Sequence, residues 1–219
     1  MPSNPVFEAV TSYWNRRAPL FDAAASHIRH EAEWTKVLQA AFGPGGFRDV
    51  IDLGCGTGAC ALIAAGLGHR VTAVDGATKM LNAARQAAIA RGLAMDVVHA
   101  AIEAFEAKPA SADLVTVRNV LWTMKEPGSA LALARTLLRP GGKLIVSDGL
   151  WSVDPGNRST YASDLAASLP FHRGLEQKEA EIMLRAAGFD GIQSWHHLFE
   201  DAPYPGGVPF FVLAATKPI

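Results

Sequence analysis

Short apolar runs alternate with longer amphipathic stretches along most of this chain of 219 residues. Runs such as Val50–Leu53 and His69–Asp75 have the length and near-continuous apolar character of strands that are covered on both faces. The alanine-rich stretch 77–92 between two such runs ends at Gly92, a natural helix C-cap. This alternation of strands and helices predicts a parallel sheet with helices on both faces.

The two ends of the chain depart from this alternation. The first 46 residues read as helical, and the glycines of the segment 43–46 end the last of these helices. Near the other end, an apolar stripe within 178–189 predicts a helix, and the runs 193–199 and 208–216 are close enough to pair as antiparallel strands. Residues 150–175 fit no regular period, and we expect them to form an insertion over the edge of the sheet where ligands bind.

Composition and charge limit the classes of function. With 49% hydrophobic and 19% charged residues, the chain suits a globular protein with a sizeable core. A net charge of -1 argues against a dedicated binder of nucleic acid or of a membrane surface. The beginning of the sequence lacks the pattern of a signal peptide, and no apolar run is long enough for a membrane helix. The two cysteines supply neither a disulfide framework nor a metal set, so a cytoplasmic location and no metal are expected.

A string of alternating glycines follows the first predicted strand. Gly54, Gly56 and Gly58 let a ligand approach the backbone closely, and the next helix begins beside them. No Lys-Ser or Lys-Thr pair follows Gly58, which excludes a P-loop. The sequence formally matches the dinucleotide pattern G-x-G-x-x-G/A. However, the carboxylate of Asp52 would repel a pyrophosphate, whereas it suits a ligand that carries an ammonium group.

The segment Asp52–Gly58 resembles motif I of the class I S-adenosylmethionine (SAM) dependent methyltransferases. The sequence LRPGG at Leu138–Gly142 is also similar to that family, just before its fifth strand. The stretches YWNRRAPLFD and RNVLWTMKEPGSAL resemble small-molecule members related to the quinone-biosynthesis methyltransferases. This resemblance runs from about residue 10 to the end, and it implies a Rossmann-like class I methyltransferase fold. That fold is α/β, with a seven-stranded, mostly parallel sheet, helices on both faces and an antiparallel C-terminal strand pair.

The resemblance also implies an organisation and an activity. We expect one SAM-dependent methyltransferase domain over 1–219, with a helical cover (1–46), a cofactor-binding core (47–149), a lid insertion (150–175) and a C-terminal helix and strands (176–219). The expected reaction transfers the methyl group of SAM to an N, O or C nucleophile of a small molecule by in-line displacement, leaving S-adenosylhomocysteine. The alternatives are an RNA or protein methyltransferase, a non-catalytic SAM-binding protein and, less well supported, an NAD-dependent oxidoreductase. The sequence leaves the choice between a monomer and a homodimer open.

The expected cofactor contacts come from strand ends and from the N-terminal cover. Asp75 ends the second strand, where an acid can accept both ribose hydroxyls, and the small Gly76 follows it. By the resemblance, Met80 packs on adenine, and Ala101 stands where many relatives carry an aspartate. The full set is Tyr13, Arg17, Asp52, Gly54, Gly56, Gly58, Asp75, Gly76, Met80, Ala101, Ile102 and Arg118.

Aromatic residues of the cover and the insertion are candidates for contact with the methyl acceptor, because a planar substrate can lie between such rings. We expect this role for Trp14, Trp122, Trp151 and Phe171. If the nucleophile must lose a proton, His172 is the first candidate for a general base because histidine titrates near neutrality, and Tyr161 is the second.

Overall fold

The structure is a computed structural model that describes residues 5–24, 30–46, 48–151, 161–204 and 207–219. Its regular elements alternate between helix and strand through the middle of the chain, as the apolar pattern predicts. They are α1 (Pro5–Ala24), α2 (Glu31–Phe42), β1 (Asp49–Leu53), α3 (Ala59–Gly66), β2 (Arg70–Asp75), α4 (Thr78–Ala90), β3 (Asp96–His99), β4 (Ala112–Arg118), α5 (Pro127–Leu137), β5 (Leu138–Gly149), α6 (Ser163–Ala167), α7 (Gln177–Ala186), β6 (Asp190–Ser194) and β7 (Phe210–Thr216).

The strands form a seven-stranded sheet in the order β3-β2-β1-β4-β5-β7-β6. All neighbours from β3 to β5 are parallel, and Ile51 of β1 lies between Thr72 of β2 and Val115 of β4. β7 runs antiparallel to both β5 and β6. The predicted sheet, with its antiparallel C-terminal pair, is therefore confirmed. The direction of strand order reverses between β1 and β4, which is where ligands of open α/β sheets bind.

Side chains that alternate along the strands divide the core into two layers. Val50 packs with Trp34 and Leu38 of α2 on one face of the sheet. Its neighbour Ile51 packs with Leu131 of α5 and with α7 on the other face. Because successive side chains of a strand point to opposite faces, the near-continuous apolar strands need helices on both sides.

The helix α1 lies over the carboxyl ends of the strands and does not pack on a face of the sheet. Its Ala18 is buried with Ala77 and Met80, at the start of α4. The side-chain oxygen Oδ1 of Asn15 accepts a hydrogen bond from the backbone N–H of Lys79, at 2.8 Å. This contact satisfies one of the amide groups that the first turn of a helix leaves without a partner. α1 is thereby attached to the edge where the glycine string lies.

The expected insertion falls partly outside the described residues, because 152–160 are not among them. The described part contains α6 and a turn that leads to α7, and it places Tyr161 and Leu169 in an aromatic cluster with Trp122. Within the described residues, no helix has both the length and the apolar character needed to cross a membrane.

Candidate functional site

The glycine string forms the turn between β1 and α3. Gly54, Gly56 and Gly58 have φ values of +71°, +55° and +94°, which lie in the left-handed region that favours glycine. The backbone N–H groups of Gly54 and Cys55 both donate to the carbonyl oxygen of Val74 in β2, at 2.8 and 3.0 Å. The alternating glycines therefore let the chain turn sharply while it remains hydrogen-bonded to the neighbouring strand.

The glycines of the turn differ in what surrounds them. A Cβ atom added to Gly54 would lie 2.4 Å from Cγ2 of Val120, in the segment after β4. A Cβ atom on Gly56 would meet no atom within 4 Å. Gly54 is thus required by close packing, whereas Gly56 borders open space, as expected for a backbone that a ligand approaches.

The carboxylate of Asp75 joins the turn to the start of α4. Its Oδ2 accepts from the backbone N–H of Gly56 at 2.8 Å, and its Oδ1 accepts from that of Ala77 at 2.7 Å. Burial raises the pKa of Asp75, although both hydrogen bonds favour the charged form. The backbone of Gly76 also hydrogen-bonds this carboxylate, and since a carboxylate has about four lone-pair sites, it can still accept a further hydrogen bond.

Asp52 lies beneath the turn and is almost fully buried. Its Oδ1 accepts from the hydroxyl of Thr116 in β4 at 2.6 Å, and its Oδ2 accepts from the backbone N–H of Ala61 in α3 at 3.0 Å. Burial raises the pKa of Asp52 to about 6. The carboxylate thus ties β1 to β4 and to the first turn of α3, in addition to bordering the cleft.

A cleft of about 380 Å³ lies above these strand ends, and α1 forms its other wall. Most of the residues that the sequence marks as candidates border it together. They are Tyr13, Trp14, Arg17, Asp52, Gly54, Gly56, Asp75, Gly76, Met80, Ala101, Ile102, Arg118, Trp122 and Trp151. Gly58 is not among the described residues that border the cleft, and a Cβ on it would lie 3.2 Å from Leu62 and Ala84, which is a tight contact between α3 and α4.

The wall contributed by α1 is close to the strand ends. A Cβ atom on Gly76 would lie 2.7 Å from Cε2 of Phe7, so this glycine leaves room for α1. Farther along α1, Nη1 of Arg17 donates to the hydroxyl of Tyr13 at 3.0 Å. Burial raises the pKa of Tyr13, and the charge of Arg17 partly opposes this effect. The predicted pair of Tyr13 and Arg17 is therefore brought together at the cleft.

The end of the cleft beyond β4 has aromatic walls. The ring centroids of Trp122 and Trp151 lie 5.9 Å apart, and those of Trp14 and Trp122 lie 6.0 Å apart. Oδ1 of the fully buried Asp148 accepts from Nε1 of Trp151 at 3.0 Å, and its Oδ2 accepts from the backbone N–H of Trp122 at 3.3 Å. Burial raises the pKa of Asp148 to about 7. Asp148 thus holds two of the rings in place.

The two predicted bases and Phe171 are not among the described residues that border the cleft. His172 is half-buried, and its Nδ1 lies 3.0 Å from the carbonyl oxygen of Leu169, in the turn before α7. Tyr161 is buried against Trp14, whose Nε1 donates to the Tyr161 hydroxyl at 3.1 Å, and burial raises the pKa of Tyr161. The local turn thus engages one nitrogen of the His172 ring, and the catalytic roles of His172 and Tyr161 remain predictions.

Tyr204 and Asn119 also border the cleft, and the sequence alone assigns no side-chain contact to either of them. Tyr204 precedes β7, and its hydroxyl donates to Oδ1 of Asn119 at 2.9 Å. Asn119 follows β4 and has a φ of +56°, which is uncommon for a residue other than glycine. Its position at a strand end was a usable signal, whereas nothing in the sequence pairs it with Tyr204. The described residues contain no group of three or more His, Cys, Asp or Glu side chains suited to a metal ion.

Comparison with known proteins finds similarity to methyltransferases. Residues 51–146, which include the end of β1, the glycine string and most of β5, match the Methyltransferase domain family. The chain is 37% identical over 101 residues to a ubiquinone biosynthesis O-methyltransferase of Cupriavidus pinatubonensis, covering 46% of this chain and 41% of that protein. It is 34% identical over 156 residues to a protein of the same name from Burkholderia thailandensis, covering 66% and 65%. The chain thus spans only about two fifths to two thirds of these relatives.

A solved structure shows the same fold over almost the whole chain. A SAM-dependent methyltransferase from Thermotoga maritima matches with a TM-score of 0.65 and 20% identity, covering 97% of this chain and 99% of that one. At this level of identity the match supports the fold alone. The family match and the sequence relatives confirm the resemblance that motif I and the segment after β4 indicate, and the solved structure supports the fold.

Proposed function

Because this chain is related to the class I SAM-dependent methyltransferases, including those of quinone biosynthesis, we propose that it binds SAM and methylates a small molecule. The observation that carries the proposal is the turn of Gly54, Gly56 and Gly58 at the switch point of the sheet, joined to Asp75. Open space beside Gly56 fits close approach of a ligand to the backbone.

The residues at the cleft suit the parts of SAM. The remaining acceptor capacity of Asp75 would serve the ribose hydroxyls, and Met80, Gly76 and Ile102 would supply an apolar surface for adenine. Tyr13 and Arg17 are positioned as donors for the methionine carboxylate. A dinucleotide fits less well, because Asp52 places a carboxylate beside the glycine turn that would have to hold a pyrophosphate.

When bound, SAM supplies a methyl group that its sulfonium already makes electrophilic. The work left to the protein is to orient the nucleophile of the acceptor in line with that methyl group and to exclude water. The rings of Trp14, Trp122 and Trp151 provide an apolar wall for a small acceptor at the end of the cleft beyond β4. α1 covers the same space, so water is kept from the reacting atoms when the acceptor fills it.

The nucleophile of the acceptor is N, O or C, and oxygen is the first to test, because the two sequence relatives described above are named O-methyltransferases. We further propose that residues 1–219 act as one domain, with the segments 1–46 and 150–175 covering the site. A cytoplasmic location and a monomer or homodimer that works without nucleic acid complete the proposal. RNA or protein as the acceptor, or SAM binding without catalysis, are the alternatives.

Calorimetric titration with SAM, S-adenosylhomocysteine and NAD tests the cofactor. We expect binding of the first two and none of NAD, and a matched titration of Asp75→Ala checks that binding occurs in this cleft. Transfer of a labelled methyl group to a panel of hydroxylated aromatic compounds, amines and oligonucleotides then tests the acceptor. NAD binding without SAM binding would refute the cofactor assignment, and labelling of oligonucleotides alone would favour the nucleic-acid alternative.

A further inference from the structure

Asn119 lies where the strand order of the sheet reverses, directly after β4, and it borders the cleft between the glycine string and the aromatic wall. Its φ of +56° places a residue other than glycine in the left-handed region. Backbone conformations of this kind are uncommon, persist only where the surroundings fix them and collect at functional sites. The contacts of Asn119 therefore indicate what this conformation serves.

The backbone of Asn119 is held on both sides. Its N–H donates to the carbonyl oxygen of Ser147 in β5 at 2.8 Å, and its carbonyl oxygen accepts from Nε1 of Trp122 at 3.0 Å. The following residue, Val120, packs against Gly54 of the glycine string. With these three contacts in place, the direction in which the Asn119 side chain leaves the backbone is fixed.

The side-chain amide of Asn119 is oriented by a short chain of hydrogen bonds. The Tyr204 hydroxyl lies 2.9 Å from Oδ1 of Asn119, and the Arg118 guanidinium also hydrogen-bonds the Tyr204 side chain. A guanidinium can only donate, so the hydroxyl accepts from Arg118 and gives its single proton to Asn119. Burial raises the pKa of Tyr204, so the hydroxyl keeps this proton near neutrality. The Asn119 atom that faces Tyr204 is therefore the acceptor, Oδ1.

This orientation leaves the amide nitrogen Nδ2 as the donor on the other side of Asn119. We propose that Nδ2 of Asn119 donates a hydrogen bond to an oxygen of the methyl acceptor, which makes Asn119 a specificity-determining residue of the cleft. The inference rests on the proposed function and adds to it a requirement for a hydrogen-bond-accepting oxygen in the acceptor. Trp122 and Trp151 present mainly ring surface nearby, so this donor distinguishes molecules of the same shape.

The discrimination follows from the cost of covering a polar group. An acceptor that fills the space beside Asn119 but has no oxygen at this point displaces water from Nδ2 without replacing its hydrogen bond, which weakens binding. Sites built to hydrogen-bond a substrate therefore reject analogues that lack the matching atom much more strongly than apolar pockets reject analogues of slightly different size. Arg118 and Tyr204 act as positioning residues, since they hold the amide in the donating orientation.

The test uses the full chain saturated with S-adenosylhomocysteine and two probes of nearly equal shape, phenol and toluene. Saturation-transfer NMR titrations measure their dissociation constants for the wild type, for Asn119→Asp and for Asn119→Gly. Aspartate tolerates the left-handed backbone and still accepts the Tyr204 proton, but it has no amide donor. Glycine tolerates the same backbone and adds no charge.

We expect the wild type to bind phenol about tenfold more tightly than toluene, and both variants to lose this preference while their affinity for toluene changes less than threefold. Equal binding of the two probes by the wild type, or an unchanged preference in both variants, would overturn the proposal. A tenfold loss of S-adenosylhomocysteine affinity in Asn119→Gly would also overturn it, because the amide would then serve the cofactor. Failure of the wild type to bind S-adenosylhomocysteine would refute the proposed function, and the role of Asn119 with it.

Discussion

Substituting alanine at Gly54 and at Gly56 separates two reasons for a glycine in the same turn. Both residues have a positive φ, so either alanine is placed in the left-handed region, at a cost of about 1–2 kcal/mol. At Gly54 the new methyl group would also lie 2.4 Å from Cγ2 of Val120, whereas at Gly56 it would meet no atom. Gly56→Ala is therefore a matched control that carries the backbone cost without the steric one.

The steric part can be estimated from the packing of large groups into filled cores, which costs about 1–3 kcal/mol. We expect Gly54→Ala to lower the free energy of unfolding by about 2–5 kcal/mol, against about 1–2 kcal/mol for Gly56→Ala. For binding of S-adenosylhomocysteine we expect the opposite: Gly56→Ala should lose more affinity than Gly54→Ala, when affinity is measured for the folded fraction of each variant. The Gly56 methyl group enters the space proposed for the cofactor, whereas the Gly54 methyl group points at Val120.

Urea denaturation gives the free energies of unfolding, and calorimetry gives the affinities. The double variant Gly54→Ala/Val120→Ala should be more stable than the sum of its two single changes predicts, because the shortened side chain no longer meets the new methyl group. Equal destabilisation by the two alanines, together with additive effects in the double variant, would refute the reasoning from close packing.

Three further results are expected. Asp75→Ala should weaken binding of S-adenosylhomocysteine at least tenfold in calorimetry, since each charge-assisted hydrogen bond is worth about 1.5–3 kcal/mol. An unchanged affinity in a folded variant would place the ribose elsewhere. The pKa of about 7 for Asp148 lies above the unfolded value of 3.8, so its contribution to stability is fully present below pH 3.8 and is lost as the pH rises through 7. Between pH 3.8 and pH 7, the difference in unfolding free energy between wild type and Asp148→Asn should therefore change by at most about 4 kcal/mol. A difference that stays constant with pH in urea titrations would contradict the raised pKa of Asp148. Tyr161→Phe should lower the free energy of unfolding by about 1–3 kcal/mol in thermal unfolding, because it leaves the Trp14 indole N–H without an acceptor. The control variant Tyr13→Phe should cost less, because its partner Arg17 is exposed to water. Equal losses in the two variants would count against the hydrogen bond between Trp14 and Tyr161.

The parts of the site that could be predicted from sequence are those encoded by local pattern. Gly54, Gly56 and Asp75 each follow a short apolar run, and the carboxyl ends of adjacent parallel strands meet at one edge of a sheet. Alternation of strands and helices was sufficient to predict both the sheet and its covered faces. Placement of α1 over the cleft came from the family resemblance, since a helix period says nothing about where a helix docks.

The features of the site that could not be predicted from sequence depend on contacts between distant segments and on the directions of side chains. Asn119 and Tyr204 are 85 residues apart, and no periodicity links them. The ring of His172 is engaged by the carbonyl oxygen of Leu169, a feature of one tight turn that composition does not reveal. Asp148 lies one residue before the end of β5, much as Asp75 ends β2, but its burial behind Trp151 became visible only in the folded protein.

The place of β7 in the sheet has a consequence for synthesis on the ribosome. β7 follows β6 in the chain, yet it lies between β5 and β6 and forms hydrogen-bonded ladders with both. Until Phe210–Thr216 leave the exit tunnel, β5 has an open edge and β6 has no strand beside it. Open edges of this kind invite pairing with other chains. A nascent chain that stalls after α7 is therefore exposed to aggregation, and completion of the fold waits for β7.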